Sequence, residues 1–449
     1  MDAVFLSRLQ FALAAGFHFL FPPLTLGLTL LIFIIESLHV KRGEEIYKHV
    51  ADFLIKLLGL VFILGTATGI TLEFAFGTNW SNYSRMVGDI FGAPLAAEGV
   101  FAFFMESIFL GVLLFGRNKV SKKMYRISAF LVFFGAHLSG LWIIIANSFM
   151  QTPAGYELVT ETAGEFVRQK AVLTNFWQAA LNHSTIERFT HTIVAGWLTG
   201  SLFGAGIGAW YISKGKFVEP AKKLLKVALV VFIIAGVLQI VTGHQHGIQV
   251  ANTQPTKLAA FEGLWETQKG ASLSLFGIPD AKNEITHCEI GIPGLLSLFA
   301  YLDADAEVKG LKEFPKDKRP PVFLTFASYH VMIALGTLFL LMAIVGAYLL
   351  ARDKLWKTNW FLKLLILAIP LPHIANQTGW IAAEVGRQPW AVYGILKTAD
   401  AASVVVPAGQ VLFTLIMFTL IYALLFAIFL MLMLKMIRKG PVERTEYGY

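Results

Sequence analysis

The sequence predicts an all-α fold, a polytopic membrane helical bundle of about nine transmembrane helices with one long loop outside the bilayer. Three observations predict it. The 449 residues are 56% hydrophobic but only 15% charged, with a mean hydropathy of +0.64; soluble domains carry about 25% charged residues. Apolar runs of roughly 20 residues, each long enough to cross a bilayer, recur from end to end. Lysine and arginine gather in alternate short connections. A β-barrel would show short alternating segments instead. The single cysteine, Cys288, excludes a disulfide framework and any cysteine-held cluster. The basic connections account for the net charge of +8 without a nucleic-acid partner.

In order, the apolar runs fall at 10–37, 51–76, 93–116, 126–149, 189–212, 222–243, 322–350, 359–384 and 408–436. The first is too long for a signal-peptide core and lacks a small-residue cleavage site, so it reads as a retained helix. Residues 1–243 hold spans one to six and 322–449 hold spans seven to nine. Between them, 244–321 is polar, mixed in charge and too long for a plain connection; such loops are usually functional or disordered. Basic residues follow span one (Lys41, Arg42, Lys48), span three (Arg117 to Arg126), span five (Lys214 to Lys223), span seven (Arg352, Lys354, Lys357) and span nine (Lys435, Arg438, Lys439). The alternate stretch 77–92 holds only Arg85. The basic side is expected to be cytoplasmic, which puts the C-terminus inside and the N-terminus and 244–321 outside. No internal repeat is visible, whereas many transporters are built from repeats.

Ionisable side chains inside spans are functional candidates by default. Span one, SRLQFALAAGFHFLFPPLTLGL, holds His18, with Pro22 four residues on. A proline clashes with the carbonyl at i−4, so the helix is expected to kink at His18 and open space beside the imidazole. His18 is then either a core histidine on a backbone carbonyl or a metal ligand. Span two ends ITLEFAFGTNW, with Glu73 near the outer face. Span three, APLAAEGVFAFFMESIFLG, carries Glu98 and Glu106, about 80° apart on an α-helix and so on one broad face. With Ser107 adjoining, they suit a proton relay, or else two acids paired with arginines of other helices. Span four has His137 and Ser139 in HLSGLW, span five His191 in RFTHTIVAGW, and span seven His330 and Met332 in FASYHVMIALG. His330 and Met332 lie about 200° apart, so only one can face a given pocket. Met332 is core packing or, beside an intramembrane histidine, a soft axial ligand of the kind that holds haem iron. Span eight strings His373, Gln377, Trp380, Glu384 and Arg387 at spacings of four and three, a stripe that must face helices, a cofactor or water. Buried His, Glu and Met on separate helices fit bundle-held haem better than zinc, which wants clustered Cys or His. The residues alone therefore give a redox membrane protein.

The stretch GWIAAEVGRQPW, residues 379–390, resembles the signature of subunit I of cytochrome bd-type quinol oxidases. So do SRLQFALAAGFHFLFPPLTLGL, EFAFGTNWSNYSRMVGDIFGAPLAAEG and, in the long loop, TKLAAFEGLWET; together they span residues 7–390. The resemblance implies three haems in this chain. It implies that His191 and Met332 ligate a low-spin haem b. It gives His18 and Glu384 to a high-spin haem b and a haem d (or a third haem b), in an order that differs between members. Glu98 corresponds to a carboxylate at the oxygen-reducing haem, and Glu106, Ser107 and Ser139 to a proton route from the cytoplasm. Trp380, Arg387, His330 and Arg8 would contact the cofactors, Trp380 between haems and Arg387 on propionates. Lys257 and Glu262 look like the quinol-site pair, in a short form of the family's extracytoplasmic quinol-binding loop. One departure stands out: His330 occupies a place where many members have arginine. It would bond a propionate, charged only when protonated, or replace Met332 as ligand. His137 and His373 have no assigned role.

The implied reaction is oxidation of quinol at the outer face and reduction of oxygen to water, with protons for water drawn from the cytoplasm, so that a proton motive force arises without a pump. The implied partners are a homologous second oxidase subunit, a small single-span subunit in some members, and the lipid of a bacterial or archaeal cytoplasmic membrane. Two alternatives share part of the residue set. A membrane b-type cytochrome passing quinol electrons to another protein would need His191 and Met332 but not His18 and Glu384. An ion or solute transporter would use the same acids as coupling sites.

Overall fold

The structure, a computed structural model, describes residues 2–163 and 166–441; residues 442–449, the end of the 322–449 region, lie outside them. In lipid a chain must satisfy its backbone polar groups internally, and long helices do so. Among the described residues, eight helical stretches are long and apolar enough to cross a membrane.

The first of these stretches is broken. Helix α1 (Ala3–His18) stops at His18 and α2 (Pro22–Arg42) starts at Pro22. The Phe21 N–H turns back onto the His18 carbonyl at 3.0 Å. The break expected from Pro22 is present at the expected residue, because proline has no N–H to offer that carbonyl. Helix α3 (Glu45–Thr78) is followed almost at once by α4 (Ser81–Ala97). Most of the connection 77–92 is therefore helix, not loop. Tyr83, Met86, Val87, Ile90 and Phe91 give it one buried face. A π turn, Glu98–Phe103, leads into α5 (Phe104–Phe115). Next come α6 (Lys122–Gln151), the hairpin β1–β2 (Tyr156–Ala163 and Phe166–Leu173), α7 (Phe176–Ala180), α8 (Thr185–Ser213) and α9 (Val218–Thr253).

Helix α9 corrects a boundary. The apolar run predicts an end near 243, yet the helix continues to Thr253. Nothing in HQHGIQVANT forbids helix; the break comes at Pro255, which opens α10 (Pro255–Glu262) in the first turn. The rest of 244–321 is ordered. It holds β3 (Gln268–Lys269), the hairpin β4–β5 (Leu273–Asp280 and Ile285–Ile292), α11 (Leu295–Tyr301) and β6 (Glu307–Val308). A small core of Leu258, Phe261, Leu264, Trp265, Leu296 and Leu311 seats this subdomain against Val250 of α9 and Val322 at the start of α12 (Val322–Ala351).

The run 359–384 is two helices, α13 (Asn359–Leu367) and α14 (Leu371–Val385), of 9 and 15 residues. Pro370 and Pro372 interrupt it, each removing a backbone donor. Neither piece alone reaches spanning length. Strands β7 (Trp390–Val392) and β8 (Leu396–Lys397), α15 (Thr398–Ala401) and α16 (Ala408–Lys439) complete the described chain.

Small residues let the central helices touch. A Cβ on Gly27 of α2 would stand 2.5 Å from the Gly196 carbonyl oxygen of α8, so this crossing tolerates only glycine there. One end of the bundle is pinned by Arg117, whose Nε donates to Asp52 of α3 at 2.7 Å. Its Nη2 reaches Glu36 of α2, and its guanidinium lies 3.9 Å over the Tyr125 ring. At the opposite end, Tyr393 donates its N–H to the Met150 carbonyl at 2.9 Å and Asn82 Nδ2 bonds the Ala402 carbonyl at 2.8 Å. The segment after α14 is thereby closed over α4 and α6.

Candidate functional site

Glu384 lies near the C-terminus of α14 and is the most heavily partnered buried acid in the site. Arg387, just past the helix end, bonds its Oε2 at 2.6 Å. Its Oε1 accepts from Asn147 Nδ2 at 3.1 Å and from Gln151 Nε2 at 3.2 Å, one turn apart on α6. Arg188 of α8 stands 3.7 Å from the same oxygen and also bonds Asn147. A buried charge needs such company, since desolvation of a lone carboxylate costs several kcal/mol. The balance tips to positive charge, with two guanidiniums for one carboxylate. Arg188 Nε and Arg387 Nη1 are buried without an acceptor among the described residues. Further acid groups fit there, because a planar guanidinium binds carboxylates in two-pronged fashion.

The other candidate ligands sit beside glycines. His18 ends α1, and its Nδ1 lies 3.0 Å from Thr68 Oγ1 of α3. A Cβ on Gly69 would come within 3.2 Å of the ring. His191, one turn past Arg188 on α8, meets Gln239 at 3.2 Å and Thr242 Oγ1 at 3.3 Å. A Cβ on Gly243 would stand 3.3 Å from its ring, and one on Gly379 would be 2.7 Å from Met332 Sδ. Each of these three side chains thus packs directly on bare glycine backbone, which any larger residue there would disturb. The α14 stripe also reaches the first helix, through Gln377 Nε2 donating to the Gly16 carbonyl at 2.6 Å. Trp380 is half-buried on that stripe, and Arg8 lies exposed on α1.

Glu98 opens the π turn and Glu106 lies just past it, in the first turn of α5. The π turn rotates less per residue than an α-helix, so the 80° separation expected for regular helix does not apply. Ser139 of α6 donates to Glu98 Oε1 at 2.6 Å. Glu106 is buried against the Gly135 backbone of α6, and its Oε1 has no hydrogen-bond partner among the described residues. Ser107 is half-buried and donates to the Phe103 carbonyl at 2.7 Å. No arginine is bonded to either acid among the described residues, which disposes of the paired-acid alternative for them.

Lys257 and Glu262 sit on α10, both buried, and point to different partners. Lys257 Nζ donates to Gln151 Oε1 at 2.5 Å and also to Gln254. Burial, then the Arg188 and Arg387 charges, hold its ammonium well below the usual lysine range. Gln151 is therefore a bridge, accepting from Lys257 and donating to Glu384. Glu262 Oε2 accepts the Ser274 N–H of β4 at 2.9 Å, and Oε1 is left without a partner among the described residues. Burial raises its carboxyl to about 8, against the lowering effect of the Ser274 N–H.

His330 stacks on Phe326 with ring centroids 3.8 Å apart. Its Nδ1 is 2.9 Å from the Phe326 carbonyl and its Nε2 2.9 Å from the Ser274 carbonyl. Both nitrogens thus lie at hydrogen-bond distance from a carbonyl, and a neutral imidazole donates to one of the two. His137 is engaged likewise: Trp197 Nε1 donates to its Nε2 at 2.8 Å, which leaves Nδ1–H for the Phe133 carbonyl at 2.7 Å. That makes it a structural histidine joining α6 to α8. His373 is only partly buried on α14, with Nδ1 unbonded among the described residues.

Sequence reasoning passes over Arg188, Asn147, Gln151 and His246. The RFTH of span five contains Arg188, and Asn147 and Gln151 stand four apart at the end of span four, but only the fold shows that they meet Glu384. His246, whose ring lies 5.7 Å from that of His191, is hidden by the early end assigned to span six.

Comparison with known proteins shows the family to which the chain and its fold belong. The family model of cytochrome bd terminal oxidase subunit I matches residues 6–441. The chain is 39% identical to cytochrome bd ubiquinol oxidase subunit 1 of Bacillus subtilis, over 100% of this chain and 96% of that one. It is 36% identical to the cytochrome bd-II ubiquinol oxidase subunit 1 of Escherichia coli, over 98% and 97%. Its fold is similar to that of the bd oxidase from Geobacillus thermodenitrificans, with a TM-score of 0.89 at 29% identity over 98% of this chain and 99% of that one. The chain belongs to the cytochrome bd terminal oxidase subunit I family.

Proposed function

We propose that this chain is the quinol-oxidising, oxygen-reducing subunit of a membrane terminal oxidase. It would hold a low-spin haem b on His191 and Met332, and two high-spin haems, one b and one d or a third b, served by His18 and Glu384. The observation that carries the reading is the combined fit of the site. His18, His191 and Met332 each face a glycine, and the two guanidiniums around Glu384 keep buried N–H groups without acceptors. A flat macrocycle with propionates suits both features. Bound haem supplies the electron transfer and oxygen chemistry.

The chain's own residues do the rest. Lys257 and the Glu262 carboxyl bond the two quinol hydroxyls, and Glu262, as the carboxylate, accepts a proton that leaves on the outer side. Two quinols yield two quinones, four electrons and four protons; one oxygen takes four electrons and four protons to form two waters. Protons for water move from the cytoplasmic side by Glu106, with Ser107 and Ser139 lining the way, to Glu98. Arg387 and Arg188 would hold acid groups of the cofactors, and Trp380 would pack between their rings. Release on one side and uptake on the other separate charge without a pump. This requires the outer placement of residues 244–321 and of the N-terminus, with the C-terminus inside. It also requires a second, homologous subunit, with a small single-span subunit as a further candidate. The division into 1–243, 244–321 and 322–449 then separates haem and proton helices, quinol loop and the closing spans.

The test is oxygen uptake by the purified complex, driven by a short-chain quinol. Uptake that stops in the Lys257→Leu variant is the expected result. Quinol oxidation that needs an added electron acceptor would favour an electron-transfer cytochrome, and a colourless protein would favour a transporter.

A further inference from the structure

His330 is expected, from the resemblance, to serve a haem. Its bonds go elsewhere. The Phe326 carbonyl lies four residues back on α12, where the helix ladder already supplies the His330 backbone N–H. The Ser274 carbonyl belongs to β4, outside the bundle. The tautomer with hydrogen on Nε2 therefore adds the bond the helix does not already provide, from α12 to the loop. Ser274 is held from its other side too, since its N–H is the donor to Glu262 Oε2 at 2.9 Å. One residue thus connects His330 to the carboxyl of the quinol-site candidate. The neighbours of His330 reinforce the seat. Tyr329 stacks on Phe261 with centroids 4.3 Å apart and planes 2° from parallel. Phe326 lies under Gly263, which ends α10, and Gly277, within β4: a Cβ on Gly263 would stand 3.3 Å from its ring, and one on Gly277 3.4 Å.

We propose that His330 is a positioning residue of the quinol site. It fixes β4 by donating from Nε2 to the Ser274 carbonyl, and so sets the Glu262 carboxyl at the depth where a quinol hydroxyl meets it. The proposal rests on the quinol-site reading of Lys257 and Glu262. It separates two duties on α12: the His330 face carries the loop, while Met332, about 200° round the helix, faces Gly379 of α14.

Three variants of the intact oxidase complex test it. His330→Phe keeps the ring stacked on Phe326 and removes both ring nitrogens, and with them the Nε2–H donor. His330→Gln keeps a donor at the reach of Nε2, and His330→Asn only one at the reach of Nδ1. The KM for a short-chain quinol is expected to rise about 2- to 10-fold in the Phe and Asn variants, the worth of one buried hydrogen bond, and to return towards the parent value in the Gln variant. Saturated turnover and the low-spin haem spectrum are expected to change little. Hydrogen exchange is expected to quicken over residues 273–280 in the Phe variant alone of the Phe and Gln pair. An unchanged KM and exchange with a shifted low-spin haem potential would overturn the proposal and return His330 to the cofactor. If Glu262→Gln and Lys257→Leu also leave the quinol KM unchanged, the quinol site itself is elsewhere, and the proposal falls with it for that separate reason.

Discussion

Two buried carboxyls of this chain have opposite surroundings. Glu384 has two guanidiniums and two amides within reach. Glu106 has one oxygen with no partner among the described residues, and Glu98, in the π turn before it, takes one bond from Ser139 of α6. A crowded carboxylate is fixed in place and charge; a sparsely bonded one has room to take and give a proton. The difference teaches how one bundle keeps an anchor and a relay apart. The anchor is built from three helices, α6, α8 and α14, and closed by the segment after α14. The relay follows one helix, loosened by a π turn of the sort found at functional sites.

Removing the anchor is expected to have the largest effect. Glu384→Ala leaves Arg188 and Arg387 buried and unpaired, and is expected to cost about 3–5 kcal/mol, the penalty for deleting one partner of a buried ion pair. Thermal loss of haem absorbance in the purified complex measures it; a variant as stable as the parent would contradict the anchor. Glu106→Gln should do the reverse. It keeps size and leaves no charge unpaired, so stability holds, while oxygen uptake falls on the order of 10-fold to 100-fold if the carboxyl passes protons. Full turnover in that variant would take Glu106 off the route.

A third prediction uses pH. The Glu262 carboxyl lies at about 8, raised from an ordinary 4.5 by burial. It is mostly protonated at pH 7 and ionises as pH rises through 8. Accepting a quinol proton requires the carboxylate, so kcat/KM for quinol is expected to climb with pH up to about 8 and then level, with that limb absent in Glu262→Gln. The linked stability has the opposite sense. The unfolded carboxyl ionises first, so the folded state loses stability between about 4.5 and about 8 and none beyond. A parent profile flat across pH 7–9 would contradict the assignment. The smallest effect belongs to Ser139→Ala, which removes the 2.6 Å bond to Glu98. It is expected to cost about 1 kcal/mol and to slow turnover less than Glu106→Gln; an equal or larger slowing would make Ser139 the main carrier.

Much of this architecture is legible in the sequence because lipid imposes length and apolarity on every span. Pro22 announces the break at His18, and the structure has it there. The same signal stands at Pro370 and Pro372, yet hydropathy alone runs straight across it. Residues 244–253 stay helical although they are polar, because polarity marks exposure to water and not the end of a helix. The π turn has no sequence mark at all. The spacing of Glu384 and Arg387 announces their pair, since i,i+3 neighbours meet on any helix end. Arg188 and Gln151 cannot be assigned to Glu384 that way, because their partnership is made by packing between α6, α8 and α14. His330 shows the same limit: its spacing from Met332 says which way it does not point, and only the fold shows that it points at Ser274.

The central claim, that Glu384 anchors and Glu106 relays, is tested most directly by the haem-to-chain ratio of two variants measured side by side. Haems are extracted from purified Glu384→Ala and Glu106→Gln complexes and counted against protein, with reduced-minus-oxidised spectra of each. The account predicts loss of one high-spin haem in the first and a full complement in the second. A full complement in Glu384→Ala, or a missing haem in Glu106→Gln, would contradict it.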